Sequence, residues 1–350
     1  MKTRFMKIIK IFLFLVIIPF LFQCSRKPRP FTLMTTQNPC TIMLDLGSYK
    51  SAGRANADFE NVNWHKKNES GVVRRALVAL ELRNYLAKRV GAKKSRIPIF
   101  DDQERVPQGT ILFIGMPPEN EFFAPIRKTV QKRWQSHKDA TEQSFRLDSF
   151  NTEENNVLIL SGKTSVGELY AGYELLVQLG VRWFIPGKMG EFVPLSDSLN
   201  VPGYRYFHDP QFQVRGFWID KDQPAVDDSL FIRWMGRNRL NFYAQRENTN
   251  ADLKRRGFIL NTGSEDLVSS FLQTRSDHGS ESTKGFCVSN ADELVQFNAF
   301  VLDKITDGTF SGTDVIDIWT PKKWCDCADC QATGNAADKL FVVIESLNQF

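Results

Sequence analysis

Histidine is scarce in this sequence. There are four in 350 residues, His65, His137, His208 and His278, and they share no motif. They are read as surface or satisfied histidines rather than catalytic ones. No G-x-S-x-G elbow is present, so the usual serine-hydrolase signature is missing. No phosphate loop is present either, so nucleotide chemistry of that kind has no support. No internal repeat or low-complexity block occurs. Excess positive charge is also lacking once the first residues are set aside. The formal +5 rests on 45 Lys and Arg against 40 acids. Residues 1–24 hold Lys2, Arg4, Lys7 and Lys10 and no acid, so the rest of the chain is nearly neutral. Its charge gives no reason to expect a nucleic-acid partner. Neutral substrates such as sugars fit, though charge cannot select them.

Long apolar runs are confined to the leader. Ile11–Phe22 is apolar apart from Pro19, too short for a membrane span of about 20 residues. A basic stretch followed by such a run is the layout of a secretory signal peptide. Leu21-Phe22-Gln23-Cys24 resembles a bacterial lipobox, departing from it at Gln23. The resemblance implies export, lipidation at Cys24, and a membrane anchor through that lipid on the outer membrane or cell surface. The other reading is a plain signal peptide, giving a periplasmic or secreted protein. Residues 25–40 are expected to be a tether. At the other end, Asp338–Phe350 reads as a helix without a stop signal, so a longer protein is expected.

Residues 41–205 alternate strands and helices, which implies an α/β domain. Strands are expected at Thr41–Leu46, Ile97–Phe100, Thr110–Ile114, Ser144–Leu147 and Val157–Leu160. The Asn/Glu-rich turn Asn151–Asn156 implies that the last two form a hairpin. Val73, Ala76, Leu77 and Leu80 make a helical stripe within Gly71–Val90, which Gly91 ends. Ser165-Val-Gly-Glu168 matches a capping box ahead of a second helix. Within this stretch, G-x-L-Y-A-x-Y-x-L-L-x-x-L-G-V-R-W-F-x-P-G followed by G-E-F-V-P resembles the N-terminal domain of α-glucuronidases and β-hexosaminidases. It is closer still to a secreted bacterial set, domain-of-unknown-function family 4838. In those families the small domain packs against a catalytic barrel, which implies core or interdomain packing for Tyr173, Trp183 and Phe184; the other reading is sugar stacking.

Residues 206–350 read as successive βα units. Gln211–Asp220 (Q-F-Q-V-R-G-F-W-I-D) is expected as a buried strand carrying one charge within it, Arg215, with Asp220 at its far end. Leu240–Ala244, Gly257–Asn261 and Val315–Trp319 are the next three strands. Helices are expected at Ser229–Arg239 and Ala291–Lys304, the latter capped by Asn290. Four such units imply the first half of a (β/α)8 TIM barrel. R-G-F-W-I-D resembles the opening barrel strand of family 20 β-hexosaminidases, where the Arg binds sugar hydroxyls. The resemblance thus implies an oligo- or polysaccharide substrate, met by Arg215, Asp220 and Asn241, and a glycoside hydrolase activity. Arg215 also reads as a structural ion pair, and Asn241 as a strand-end cap. The family 20 histidines and Asp-Glu pair are missing: Tyr243–Arg246, Thr262–Asp266 and Thr320–Lys323 stand there instead. Glycoside cleavage needs two carboxyls about 5–10 Å apart, so the catalytic acids are expected beyond residue 350. The alternative is a non-catalytic glycan-binding lipoprotein on the same fold.

Cysteine is sparse but clustered. Cys325, Cys327 and Cys330 (W-C-D-C-A-D-C) follow the fourth strand, and Cys287 precedes the helix leading into it. Four thiolates suit tetrahedral zinc in a structural role. A secreted address favours disulfides instead. No cofactor is required for catalysis on either reading. Cys40 has no assigned partner.

Overall fold

The computed structural model describes residues 27–349 apart from 65, 219–227, 245–249, 261–266, 278–284, 309–313 and 317. In chain order the first elements are β1 (Phe31–Thr35), β2 (Thr41–Leu44), α1 (Ala52–Ala57), α2 (Lys67–Arg89), β3 (Ile99–Asp101), β4 (Gly109–Ile114) and α3 (Ala124–Gln135). Then come β5 (Phe145–Asn151), β6 (Asn155–Gly162), α4 (Ser165–Gln178), β7 (Arg182–Trp183), β8 (Glu191–Phe192), β9 (Ser198–Val201) and β10 (Arg205–His208). The last are β11 (Gly216–Trp218), α5 (Asp228–Arg237), β12 (Phe242–Ala244), α6 (Asn250–Arg255), α7 (Leu267–Asp277), α8 (Ala291–Thr306), α9 (Ala328–Thr333) and α10 (Ala336–Asn348). No described helix is long and apolar enough to cross a membrane. The fold is mixed α/β, in two compact units.

The first unit comprises Met1–Gly53, Val78–Val181 and Val193–Asp209. Its main sheet runs β10-β5-β6-β4-β2-β3. The central strands are parallel and buried on both faces, which explains the unbroken apolar runs I-L-F-I and V-L-I-L. β5 and β6 form the antiparallel hairpin read from the sequence, with Asn151 opposite Asn156. Asp148 on β5 is wholly buried, and Arg146 Nε (2.9 Å) and Arg133 Nη1 (2.5 Å) hold it. Removing one partner of such a set leaves an uncompensated buried charge, which is how a polar group can fix a strand's placement.

Three expectations change here. The tether reading of residues 25–40 fails at Phe31–Thr35, a strand paired antiparallel with β9. Phe31, Leu33 and Met34 are buried there, and burial of that apolar surface outweighs the freedom of a linker. The cap of α4 is Thr164 rather than Ser165: Thr164 is extended and its hydroxyl accepts from the Val166 N–H, while Ser165 is already helical. Packing also does not extend to Phe184, which is 67% exposed, whereas Tyr173 and Trp183 are buried.

The second unit comprises Arg54–Leu77, Arg182–Phe192 and Pro210–Phe350, so compactness does not follow chain order. Arg74 donates to the Lys254 carbonyl, and Arg255 stacks on Phe59 at 3.9 Å and donates to Asn56. Trp234 Nε1 and Asn238 Nδ2 both donate to the Trp183 carbonyl.

Four segments lie side by side in chain order. β11 and β12 pair in parallel, with Gly216 beside Phe242. Phe242 bridges Ile259 in parallel. The Asp314 and Val315 N–H groups donate to the Leu260 carbonyl at 2.7 and 3.0 Å. Gly216 has a steric reason to be glycine, since a Cβ there would sit 1.7 Å from the Phe242 carbonyl oxygen. The strand around it is shorter than expected. Phe212 (72% exposed) and Val214 (52%) precede it in irregular backbone rather than inside a buried strand.

α5 packs Ile232 and Met235 against Tyr243, Leu253, Phe258 and Leu260. A second core, Phe271, Phe286, Phe297, Val301 and Val343, joins α7, α8 and α10. Its rings meet edge to face, as Phe286 and Phe297 do at 5.4 Å. Asn290 caps α8 as read from the sequence, accepting from the Asp292 and Glu293 N–H groups.

Candidate metal centre

Cys287 and the Cys325–Cys330 group are far apart in sequence, and one short parallel pairing joins them. Phe286 bridges Trp324. The Phe286 N–H donates to the Lys323 carbonyl (3.2 Å), and the Cys325 N–H donates to the Phe286 carbonyl (2.9 Å). The next residue on each strand is a cysteine. Gly285 makes this approach possible: its φ is +71°, and a Cβ would lie 2.7 Å from the Trp324 carbonyl. Cys327 then caps α9, its sulfur accepting from the Cys330 N–H, which turns Cys330 back toward Cys287.

The four sulfurs all lie within 4.8 Å of one another. Cys287 Sγ is 3.6 Å from Cys330 Sγ and 3.9 Å from Cys327 Sγ. All four cysteines are free thiols. Ser289 Oγ lies 3.3–3.4 Å from the sulfurs of Cys287, Cys327 and Cys330. The Cys327 N–H points at Cys325 Sγ. Cys330 is buried in the aromatic core and Cys327 is exposed.

The shared environment drives the thiols apart. The Ser289 hydroxyl, then the Cys330 N–H, pull Cys327 down to about 6. For Cys325 the Cys327 N–H acts to lower, but burial and the neighbouring thiols prevail and push it up to about 12. Burial raises Cys287. Metal binding at such a set would release protons as thiols become thiolates.

A second group, Asp45, Asp101 and Asp102, also converges. Its oxygens already accept from neighbouring loop groups: Leu46 N–H and Gln103 N–H on Asp101, Gly47 N–H on Asp45, and Gln103 Nε2 on Asp102. These bonds account for the cluster as loop structure.

The residues read as substrate contacts are placed differently from one another. Asp220 and Cys24 lie outside the described residues. Arg215 and Asn241 lie together just ahead of β11 and β12. Arg215 Nε and Nη2 donate to the Arg239 carbonyl (3.0 and 2.9 Å), and Nη1 donates to the Phe212 carbonyl. Asn241 is fully buried: its Oδ1 accepts from the Arg215 N–H, and its Nδ2 donates to the Gln213 carbonyl, each at 2.8 Å. In this arrangement the two side chains tie the start of one strand to the start of the next. In the fourth segment, Asp314 accepts from the Leu260 N–H and from Lys254 Nζ. The sequence offered no signal for this lysine partner. Nor did it offer one for Ser289, which differs from any surface serine only by its place.

No family model and no curated protein matches this chain. Among solved structures it is similar to BtGH115A, described as a family GH115 4-O-methyl-α-glucuronidase with specificity for decorated arabinogalactans. That likeness has 12% identity and a TM-score of 0.44, over 92% of this chain and 40% of that one. It is also similar to CpGH84D, at 13% identity and a TM-score of 0.34, over 91% of this chain and 40% of that one. Both neighbours are glycoside hydrolases. The chain spans about 40% of the length of each.

Proposed function

We propose that this chain belongs to an exported, lipid-anchored glycoside-hydrolase-like protein acting on oligo- or polysaccharide. It contributes an N-terminal α/β domain and the first strands of a (β/α)8 barrel. The observation that carries this reading is the side-by-side order of the segments at 216–218, 242–244, 258–260 and 314–315, parallel where paired, with helices between them. Consecutive parallel strands with intervening helices are how such a barrel is laid down. The motifs R-G-F-W-I-D and V-R-W-F-I-P-G support the carbohydrate class. The cleaving carboxyls are assigned to later strands, and Asp220, at the exit of the first strand, to substrate contact. Cys24 is assigned as the lipidated residue.

The test is a hydrolysis screen of the full-length protein on plant and host polysaccharides, with binding measured in parallel. Released reducing sugar, abolished by substitution of a carboxylate on a later strand, is the expected outcome. Binding without release would convert the reading to a glycan-binding lipoprotein. Neither binding nor release would overturn it. Palmitate labelling that survives Cys24→Ala would remove the anchor.

A further inference from the structure

We infer that Cys287, Cys325, Cys327 and Cys330 form a closed structural zinc site. It clasps the turn ahead of α8 to the segment leading into α9 and to the first turn of α9 itself. A regular tetrahedron whose corners lie about 2.3 Å from a central zinc has edges of about 3.8 Å. The sulfur separations of 3.6 and 3.9 Å bracket that edge. They are far longer than the S–S bond of about 2.05 Å that a disulfide needs. Four soft donors with no histidine or carboxylate among them match zinc rather than magnesium or calcium.

The surroundings complete the site. A tetrathiolate zinc carries net negative charge, which N–H···S hydrogen bonds offset. Cys327 N–H on Cys325 and Cys330 N–H on Cys327 supply two, both at 3.4 Å. The Ser289 hydroxyl lies against three of the sulfurs and can donate to one. Such outer partners fix ligand orientation. All four positions are taken by protein, so no coordination site is left open for a water or a substrate. The role is structural: the cysteines still protonated release their protons to solvent as four Zn–S bonds form. The metal then fixes two turns that a short backbone bridge and the Phe286–Trp324 ring contact also join. This holds whether or not the protein cleaves glycans.

The exported chain is purified without chelator or added metal and analysed for zinc by mass spectrometry. Thiols are counted before and after a strong chelator. About one zinc per chain is expected, and the cluster thiols should react only after chelation. Cys40, buried and pushed up to about 12 chiefly by its burial, should react only after denaturation. Cobalt exchanged into the site should give the intense thiolate-to-metal absorption of a tetrahedral sulfur site. The Cys287→Ser and Cys330→Ser variants should lose at least tenfold in zinc retention against a competing chelator. If those variants fail to fold, the cobalt spectrum of the unmodified chain decides. Metal-free protein with the cluster thiols lost to disulfides would overturn the inference. So would zinc retained unchanged in folded cysteine variants, or cobalt binding without thiolate bands.

Discussion

Asn241 separates a strand-tying role from a sugar-binding one. Its side chain accepts from the Arg215 N–H and donates to the Gln213 carbonyl, in a fully buried position. Asn241→Ala deletes both bonds and leaves a small cavity. Each lost partner of a buried backbone group costs about 1–3 kcal/mol. Both bonds are only partly buried, so the lower half of that range applies to each and the expected loss is about 2–4 kcal/mol. Asn241→Asp is the finer probe. It keeps the acceptor for Arg215 but sets a carboxylate oxygen against the Gln213 carbonyl. Burial and that carbonyl raise the folded-state pKa of the new carboxyl above its unfolded value of about 3.9. A group raised in this way contributes its full stability below the unfolded pKa and loses it as pH rises through the folded pKa. The deficit of the Asp variant should therefore be largest near pH 7 and shrink toward pH 4. The assay is urea denaturation at several pH values beside glycan binding by calorimetry. Wild-type stability in Asn241→Ala with glycan affinity abolished would refute the strand-tying role.

Gly285→Ala should weaken the metal centre without touching a ligand. A left-handed alanine costs about 1–2 kcal/mol, and its Cβ would press on the Trp324 and Lys323 carbonyls. Faster zinc loss to chelator and a lower Tm are expected, and unchanged retention would show that Cys287 is placed by other contacts. Asp209 offers a pH test in the first unit. Burial acts to raise its carboxyl, but the hydroxyls of Ser144 and Thr141, and then His208, prevail and hold it below the usual range. A depressed carboxyl contributes stability above its unfolded pKa and loses it as pH falls through the folded one. Ser144→Ala should thus cost about 1 kcal/mol at pH 7, discounted for the partial exposure of Asp209, and almost nothing near pH 2. Equal deficits at both pH values would remove Asp209 from the explanation.

Local patterning was enough for most elements. The β5–β6 hairpin, the Asn290 cap and the apolar central strands follow from turn chemistry, hydroxyl or amide capping and two-sided burial, all of which act within a few residues. Residues 31–35 escaped because a strand's partner can be remote: β1 pairs with β9, more than 160 positions away, and nothing local marks it. Arg215 was legible as an unusual charge, but not its targets, since backbone carbonyls carry no sequence signature. The four cysteines were legible as a set. That their sulfurs converge within 4.8 Å of one another, rather than standing bonded in pairs, was decided by the Phe286–Trp324 bridge and the room that Gly285 leaves for it. Composition and motif spacing name the donors; only the packing of distant strands sets the distances between them.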